Sequence, residues 1–511
     1  MNIRELLLPL FLAFATMFFV QYFFFQKKEP VAAHTIQSGQ QFTAPEHADE
    51  AVPLKKEVDF APALRCGVPK TTKIETDYAS YLFSTDGASL EQLVYKRKEQ
   101  TQDRMQTIFA PSDNKPELRC FLVALDEGTP YNYEFVSKQE TECDYQLSYK
   151  AETKDVIIYK QFAIHKTDYK IDLLVSIEPK GTEPVQPRIF WPSPFVPSIM
   201  DYDTVMAVFN TQKGSLSQVA KKSVDFRSGW FEPNLFGAEN KYFVNVMIQD
   251  ENNFARRAYY TEAQNRLIAI LEGPKITEKQ QWVVTFYFGP KEEEVFARVD
   301  PRLKQTLGYS GILAPISKFM LALLNFLFDY VRNYGWAIII LTILIKLLLL
   351  PFSIKGEQSM RKSSEMQKKL SYIQQRYKDD PERLNQERAE IMRKYGMPGV
   401  AGCLPFLVQM PLFFALRAIL TNSIELYKAP FLWIPNLSAS DPYYILPILV
   451  CCTLLLQATT VDKSQRMVLI AVAFVFGALT ANFSAGLALF LVTNTFLHVG
   501  QAMLQKRFSR T

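Results

Sequence analysis

The sequence has 511 residues, of which 48% are hydrophobic, and its 57 basic and 52 acidic residues give a formal net charge of +5. A chain of this length has room for about three domains, and its apolar content excludes a wholly disordered or collagen-like protein. So small a net charge over so long a chain does not indicate a nucleic-acid-binding protein, and we expect no DNA partner.

The N-terminal segment predicts a membrane anchor. In Leu6–Phe25, Gln21 is the only strongly polar side chain, and as a helix this segment would span roughly 30 Å, the thickness of a bilayer's hydrocarbon core. A secretory signal peptide has a shorter apolar region and a small-residue cleavage site. We therefore predict an uncleaved transmembrane anchor over residues 1–26, with cleavage near Ala32 and Ala33 as the alternative.

A polar segment separates this anchor from a region with a different hydrophobic period. Residues 27–70 are mostly polar with few aromatics, which is typical of a flexible tether. From 71 to 308, apolar residues alternate with polar ones, and strand pairs are predicted on either side of Ser84–Gly87 and of His165–Asp168. This pattern predicts an all-β sandwich domain.

Neither a metal nor a cofactor is predicted. Cys66, Cys120 and Cys143 allow one disulfide and one free thiol, and the sequence leaves their pairing open. No C-x-x-C or closely spaced histidine motif indicates a metal, and no glycine-rich G-x-x-x-x-G-K-S/T loop indicates a bound nucleotide. We therefore expect a protein that works without a cofactor.

Residues 309–333 predict an amphipathic helix at the membrane interface. Lys318, Asn325, Asp329 and Arg332 recur at spacings that place them on one helical face, and apolar residues occupy the opposite face. Such a helix lies on the membrane instead of crossing it. The alternative is an ordinary amphipathic helix that packs on the neighbouring domain.

Further apolar stretches predict a bundle of transmembrane helices. The second transmembrane helix is predicted at residues 334–354, and the third to sixth at residues 401–504. The last two form a predicted hairpin that is broken near Asn482–Gly486. With the N-terminal anchor, about six transmembrane helices are expected, five of which form the core of the membrane part.

A charged segment between these helices, residues 355–400, predicts a helical hairpin. Asp380 is suited to cap the second helix and Pro381 to begin it. The stretch Lys355–Lys394 has a net charge of +4, which favours RNA or anionic lipid headgroups. The ribosome and membrane lipids are therefore candidate partners, and a solvated spacer is the alternative.

The distribution of basic residues predicts the orientation in the membrane. Lys and Arg accumulate on the cytoplasmic side of short loops, and the hairpin together with the basic tail at residues 505–511 carries most of the positive charge. We therefore predict that the N- and C-termini are cytoplasmic and that the β domain lies on the outer side of the membrane. Lys27 and Lys28 on the outer flank of the anchor are a local signal against this orientation.

One charge lies inside a predicted transmembrane helix. Lys346 is about ten residues into its apolar stretch, where a charge costs roughly 2.5–3.5 kcal/mol, so it should face water or protein. Polar stripes on other predicted helices suit a wet groove, and Ser353 and Gln501 continue two of these stripes. The predicted groove residues are Lys346, Thr342, Gln409, Thr453, Gln457, Asn494 and His498. The alternative is that Lys346 snorkels to the surface and the amides join helices.

Several strings in the last 180 or so residues resemble the YidC family of membrane protein insertases. They are I-L-I-K-L-L-L-L-P-F, G-C-L-P-F-L-V-Q-M-P-L, A-P-F-L-W-I, D-P-Y-Y-I-L-P and V-T-N. The string F-S-T-D-G-A-S-L-E in the β domain is a fainter match, to the large periplasmic β-supersandwich of Gram-negative members. The turn N-F-S-A-G departs from the Pro-Ser-Gly turn of many members.

The resemblance implies a location in the bacterial inner membrane, with the β domain in the periplasm, and a function without an enzymatic reaction. Family members insert nascent membrane proteins into the membrane, alone or beside the Sec translocon, and act as chaperones during folding. They hold an essential positive residue, usually arginine, in a hydrophilic groove, and Lys346 occupies that position here. Lysine keeps the charge but lacks the planar multi-donor fork of arginine.

Two other classes of function compete with this interpretation. A secondary transporter could use Lys346 as a coupling charge, but the C-terminal helices show no obvious internal repeat. An intramembrane serine protease would need a nucleophile, and Ser484 lacks a G-x-S-x-G frame and is fourteen residues from His498. Insertion is the predicted function, and secondary transport is the alternative.

Overall fold

A computed structural model describes residues 69–96, 106–109, 119–125, 131–194, 205–210, 216–226, 229–308, 313–377, 380–395, 400–460 and 463–508. The described residues form two compact units, of which one ends at Leu307 and the other begins at Gly308. The predicted N-terminal anchor, nearly all of the predicted tether, and Cys66 lie outside the described residues.

The first unit is built from strands. They are β1 (Thr71–Glu75), β2 (Ala79–Ser84), β3 (Ser89–Tyr95), β4 (Gln106–Phe109), β5 (Leu122–Ala124), β6 (Glu134–Glu140), β7 (Asp144–Glu152), β8 (Val156–His165), β9 (Lys170–Pro179), β10 (Arg188–Pro192), β11 (Met206–Asn210), β12 (Leu216–Ala220), β13 (Trp230–Phe231), β14 (Phe236–Glu239), β15 (Phe243–Asp250), β16 (Arg257–Ala263), β17 (Arg266–Glu272) and β18 (Gln280–Pro290). Helix α1 (Glu293–Val299) follows them. The predicted all-β fold is confirmed.

These strands form three antiparallel sheets. The order is β1-β2-β3-β4 in a four-stranded sheet, β13-β16-β17-β10-β5 in a five-stranded sheet and β12-β11-β14-β15-β18-β9-β8-β7-β6 in a nine-stranded sheet. Strands that are neighbours in sequence pair in the first sheet, whereas the other two contain strands that are far apart in sequence. Hairpin signals in the sequence therefore predict only part of this topology.

The core of the first unit lies on one face of the nine-stranded sheet. Phe83 of β2 contacts Phe162 of β8 with ring centroids 4.8 Å apart, and Trp191 of β10 contacts Phe286 of β18 at 5.1 Å. Phe162 and Phe286 point to the same face because they pair with residues of β9 that are two positions apart. Both smaller sheets therefore pack on this face.

Lys160 of β8 is fully buried in this core. Its Nζ donates to the carbonyl oxygens of Gly87 and Ala88, at 2.9 and 2.8 Å, and to that of Phe121. Burial lowers the pKa of Lys160, while the three carbonyls provide an acceptor for each proton of its ammonium group. The side chain thus holds the turn between β2 and β3 against β8, where Gly87 has a φ of +71° that favours glycine.

Two cysteines of the first unit are free thiols. Cys120 is buried and Cys143 is exposed, and neither forms a disulfide. Burial raises the pKa of the Cys120 thiol well above its ordinary value, which keeps it protonated and unreactive. A disulfide between these two cysteines, one of the pairings that the sequence allows, is therefore not formed.

The second unit is helical. Its helices are α2 (Ala314–Val331), α3 (Tyr334–Arg376), α4 (Pro381–Tyr395), α5 (Val400–Asn422), α6 (Ile445–Thr460), α7 (Lys463–Thr480) and α8 (Ala485–Phe508). Asn333 begins α3, because its Oδ1 accepts the backbone N–H groups of Gly335 and Trp336 at 2.9 and 3.3 Å. A short turn at residues 481–484 separates α7 from α8.

Helix α3 differs from the prediction. A separate transmembrane helix at residues 334–354 and a hairpin arm after it are predicted, whereas the structure has one helix of 43 residues with Pro351 inside it. Proline removes one helical hydrogen bond and often ends a helix, but here the helix continues through Pro351. At 1.5 Å per residue the helix is roughly 65 Å long, about twice the thickness of the hydrocarbon core.

Helices in the described part of the chain meet the requirements for crossing a membrane. Ala314–Val331, Tyr334–Pro351 and Ala485–Leu504 are long and apolar enough, and Ile445–Thr459 and Leu469–Thr480 are shorter apolar helices. The length and apolarity of α2 are therefore compatible both with a helix that lies at the membrane interface and with one that crosses the membrane. Its interfacial placement stays a prediction.

A polar cluster centred on His165 lies on the other face of the nine-stranded sheet. The ring of His165 lies between two carboxylates, with Nε2 2.9 Å from Asp172 Oδ2 and Nδ1 3.3 Å from Asp144 Oδ1. Thr285 donates to the second oxygen of Asp172 at 2.7 Å. Side chains from β7, β8, β9 and β18 thus form one cluster around His165. The hydrogen bond with Asp172 raises the pKa of His165.

This cluster predicts a pH dependence of stability. A histidine whose folded pKa is raised stabilises the fold fully below its unfolded pKa of about 6.5 and loses that contribution as the pH rises through the folded pKa. Because the cluster is partly exposed, we expect a decrease of roughly 0.5–1 kcal/mol in the free energy of unfolding. The measurement is denaturant unfolding of the purified protein between pH 5.5 and about 8.5, followed by the fluorescence of buried Trp191 and Trp282.

The variant His165→Gln should remove this decrease, because glutamine still forms hydrogen bonds but does not titrate. His47→Gln, in the segment that the sequence predicts to be a tether, serves as the control that keeps the slope. An unchanged pH slope in His165→Gln would contradict the assignment.

Candidate functional site

The helical unit has an apolar end and a polar end. Buried apolar side chains of α2, α3, α5, α6 and α8 form one core. Its buried members end at Ile345 in α3, at Val450 in α6 and at Leu491 in α8. Polar residues follow in all three helices, beginning with Lys346. We call the apolar end, which carries the α5–α6 loop, the loop end, and the opposite end, which carries the α3–α4 connection, the hairpin end.

Lys346 lies at the boundary between these two ends. Its side chain is half-buried, and His498 of α8 is close enough for the two groups to interact electrostatically. Thr342, one turn earlier, is buried and donates to the carbonyl oxygen of Ile338 at 2.6 Å. Leu347 and Leu348 are 60% and 75% exposed. Leu347 and Leu348 of α3 therefore point away from the bundle, whereas Lys346 lies on the side of α3 that is near α8.

A hydroxyl pair joins α6 to α8 in the polar part of the bundle. The Oγ1 atoms of Thr453 and Thr495 are 2.8 Å apart. Thr453 is a predicted groove residue, but Thr495 is not among the predicted residues. The T-N-T run at residues 493–495, which interrupts an apolar helix with three polar side chains, is the signal that would have found it.

A second polar pair joins α3 to α8 nearer the hairpin end. Gln501 Nε2 donates to Ser353 Oγ at 3.0 Å, and the Ser353 hydroxyl donates to Gln501 Oε1 at 3.3 Å. Both residues continue the polar stripes seen in the sequence. Ser353 lies two helical turns beyond Lys346, and Gln501 lies one turn beyond His498.

The remaining predicted residues are half-buried on the same set of helices. Gln409 is on α5, Gln457 on α6 and Asn494 on α8. Helix α8 packs against α3, α5 and α6, so it is the common neighbour of all the helices that carry the predicted residues. Within the described ranges, no cluster of His, Cys, Asp or Glu is arranged to hold a metal ion.

The loop end is closed by a buried carboxylate. Asp441 is 3% exposed and accepts the backbone N–H of Leu446 at 2.7 Å and that of Tyr443 at 3.1 Å. It also accepts the indole N–H of Trp433 at 3.2 Å. Because Leu446 is in the first turn of α6, Asp441 fixes where this helix begins. This gives a physical reason for the aspartate of the D-P-Y-Y-I-L-P string.

Backbone contacts fasten this loop to the start of α8. Ala485 N donates to Ala439 O at 2.6 Å, and Gly486 N donates to Leu437 O at 2.8 Å. On the other side of the loop, Gly335 of α3 is so close to Phe431 that an added Cβ would lie 2.0 Å from its ring. The loop is thus packed tightly between α3 and α8.

Two protein-family models match the chain. One is described as the YidC periplasmic domain and matches residues 71–323. The other is described as the 60Kd inner membrane protein and matches residues 326–511. Together they take in most of the sequence. The chain belongs to the YidC family of membrane protein insertases.

Relatives in this family differ in how far the similarity extends. The membrane protein insertase YidC of Geobacter metallireducens is 28% identical over 505 residues, which are 94% of this chain and 94% of that protein. YidC of Campylobacter jejuni is 38% identical over 231 residues, 44% of each protein. A crystal structure of an active YidC insertase with its first transmembrane domain resolved is 19% identical, with a TM-score of 0.37 over 87% of this chain and 95% of that chain.

The family membership gives the two units their roles. The protein is a membrane protein insertase of the inner membrane, and it crosses that membrane several times. Its β-rich unit is the periplasmic domain of the YidC family. The protein is a transport and chaperone factor and not an enzyme. Insertion is thus favoured over the secondary transport that the sequence alone leaves open.

The loop end should be sensitive to the loss of Asp441. The substitution Asp441→Ala leaves three donors without this acceptor, of which the N–H of Leu446 is buried, and should destabilise the protein by about 1–3 kcal/mol. Asp441→Asn keeps one acceptor oxygen and should cost less. Thermal unfolding of the purified protein in detergent measures both effects.

The matched control is Asp329→Ala, because Asp329 is an exposed aspartate of α2 and its loss should change the unfolding temperature little. Equal destabilisation by Asp441→Ala and Asp329→Ala would show that Asp441 does not close the loop end.

Proposed function

We propose that the polar part of the helical unit is the groove through which this insertase admits the hydrophilic segment of a client protein. The observation that carries the proposal is the position of Lys346 directly after Ile345, the last buried member of the apolar core in α3; beyond it the apolar residues that pack on this core, such as Leu349, are only partly buried. Thr453 and His498 add polar groups from two other helices just beyond that core. A groove closed by apolar packing at one end and polar at the other admits water from the hairpin end alone.

Lys346 supplies the attraction in this mechanism. A unit negative charge about 8 Å from its ammonium would gain roughly 2 kcal/mol at an effective dielectric constant of about 20. This gain offsets part of the cost of moving an acidic or polar tail into the membrane. The polar side chains around it replace some of the water that the tail leaves behind.

Lys346 replaces the arginine that is usual in this family, and this difference changes how the groove contacts an acidic group of the client. The ammonium is a compact point charge, whereas the guanidinium binds a carboxylate through two parallel hydrogen bonds. We therefore expect long-range attraction of acidic tails without a fixed bidentate geometry. Such attraction tolerates clients with acidic residues at different positions.

The apolar part of the client then leaves the groove towards lipid. Leu347 and Leu348, which follow Lys346 in the sequence, are exposed, so they provide an apolar surface beside the charge. Phe413 of α5 and Phe490 of α8 lie nearby in the core, with ring centroids 6.4 Å apart. A client helix is thus held by polar groups at its tail and by apolar groups along its length.

The proposed topology follows the distribution of charge. We propose that the anchor at residues 1–26 crosses the membrane with its N-terminus in the cytoplasm, that the domain at residues 71–308 is periplasmic, and that the segments at residues 355–400 and 505–511 are cytoplasmic. The excess of Lys and Arg in the last two segments supports this orientation.

Helix α2 is proposed to lie at the interface on the periplasmic side of the inner membrane. Phe319, Phe326 and Tyr330 are exposed on one side of it, whereas Met320 and Leu324 are buried against the bundle. Aromatic residues are enriched at the level of the lipid headgroups, where their rings are partly hydrated. An interfacial helix places such a row at one depth along its whole length.

The partners are proposed from the family and from the charge of the hairpin. Nascent membrane proteins are the clients, and the insertase acts alone or beside the Sec translocon. In the hairpin, Met366 and Ile373 are buried, while Arg376, Arg383 and Arg388 are exposed. This arrangement supports binding of ribosomal RNA or anionic lipid headgroups.

The role of Lys346 is tested by replacing it with Arg, Ala and Glu. In proteoliposomes, insertion of a single-span client with a short acidic tail should be kept by Lys346→Arg, fall about tenfold in Lys346→Ala and fall further in Lys346→Glu. A client with a neutral tail should be much less affected. Protease protection of the translocated tail measures insertion.

A control variant separates this effect from a change in total charge. Lys318→Glu makes the same reversal at an exposed position of α2 and should insert both clients as the unmodified protein does. If Lys346→Ala and Lys346→Glu insert the acidic-tailed client normally, the electrostatic mechanism is wrong.

A further inference from the structure

The hydrogen-bonded pair of Ser353 and Gln501 joins the two helices that carry the charged and titratable groups of the groove. Two hydrogen bonds, of 3.0 and 3.3 Å, connect the hydroxyl to the side-chain amide. Both side chains are half-buried. Lys346 is two turns before Ser353 on α3, and His498 is one turn before Gln501 on α8. The pair therefore lies between the groove residues and the hairpin end.

Pro351 makes this part of α3 a point at which the helix can bend. Proline has no N–H to donate to the carbonyl of Leu347 and its ring crowds that carbonyl, and sharp bends of helices occur at such positions. The Ser353–Gln501 contact lies within one turn of Pro351, on the side of the hairpin end. The contact therefore holds α3 against α8 next to the point where the backbone hydrogen bonding of α3 is interrupted.

The contact is strong enough to bias the distance between α3 and α8 but weak enough to be exchanged. A hydrogen bond between neutral side chains in a membrane protein changes a population by roughly three- to tenfold. Water or the backbone of an unfolded client offers both groups equivalent hydrogen bonds, so the contact opens without leaving a polar group unsatisfied.

We propose that Ser353 and Gln501 form a clasp, here the 353–501 clasp, that holds the part of α3 beyond Pro351 beside α8 and thereby limits how much water reaches Lys346. The inference rests on the proposed role of Lys346. Ser353 and Gln501 are positioning residues, because they act on the client through the surroundings of Lys346. With the clasp closed, the part of α3 beyond Pro351 bounds the groove next to Lys346; when the clasp opens, that part moves away, more water enters and the charge of Lys346 is screened more strongly.

The clasp predicts a loss of charge selectivity. The quantity measured is the ratio of insertion of an acidic-tailed client to that of a neutral-tailed client, in proteoliposomes with the full-length protein. Ser353→Ala should lower this ratio about three- to tenfold. Gln501→Met should lower it at least as much, because Gln501 makes a further interaction, and the double variant should lower it no further than Gln501→Met does. Ser353→Thr keeps the hydroxyl and should keep the ratio.

A cross-linked variant tests the same geometry in the opposite direction. With Ser353→Cys and Gln501→Cys together, in a background where Cys66, Cys143, Cys403, Cys451 and Cys452 are serine, a bifunctional thiol reagent that spans the gap left by the shorter side chains should restore the ratio towards that of the unmodified protein. The control is Thr459→Val, because the Thr459 hydroxyl donates to the carbonyl of Leu456 in its own helix at 2.7 Å. It should leave the ratio unchanged.

The outcomes separate the clasp from the role of Lys346. If Lys346→Ala abolishes the selectivity but the clasp variants keep it, the clasp is refuted and the role of Lys346 stands. Reductions that multiply in the double variant also refute the clasp, since the two residues then act independently. If the unmodified protein shows no selectivity, the role of Lys346 fails, and the clasp fails with it.

Discussion

A lysine inside a membrane-spanning helix is a constraint on everything around it. Moving such a charge to the middle of a bilayer costs roughly 2.5–3.5 kcal/mol unless water or polar groups reach it. The helical unit meets this requirement by ending its buried apolar core at Ile345 and placing polar residues from α6 and α8 just beyond. Lys346 thus lies where the buried apolar core of α3 ends and polar side chains of α6 and α8 begin to contribute.

The two ends of the bundle are built by different interactions. At the loop end, Asp441 and the backbone of the α5–α6 loop fix the starts of α6 and α8 through short hydrogen bonds, and the side chains between the helices are apolar. Towards the hairpin end, helices are joined by exchangeable contacts between neutral polar side chains, such as Thr453 with Thr495. The proposed mechanism needs this asymmetry, because in it one end stays sealed while the other receives polar chain segments.

Much of this organisation could be predicted from the sequence because it is local. Apolar stretches give the helices, alternation gives the strands, and polar stripes place Lys346 and His498 on helices that prove to be neighbours. The order of the nine-stranded sheet could not be predicted, since its pairings join distant strands. Nor could the continuity of α3 through Pro351, because proline usually ends a helix. Thr495 is defined by its contact with another helix, which spacing along one helix does not show.

The central claim is that Lys346 lies in a groove that water reaches. It is tested most directly by the reactivity of Lys346→Cys with a membrane-impermeant thiol reagent, in a background where Cys66, Cys143, Cys403, Cys451 and Cys452 are serine. The comparison is Leu348→Cys, at an exposed position of α3 that the proposed mechanism places against lipid. A thiol in water ionises and reacts whereas one in lipid does not, so Lys346→Cys should react at least about tenfold faster. Equal, slow reaction of both cysteines would contradict the account.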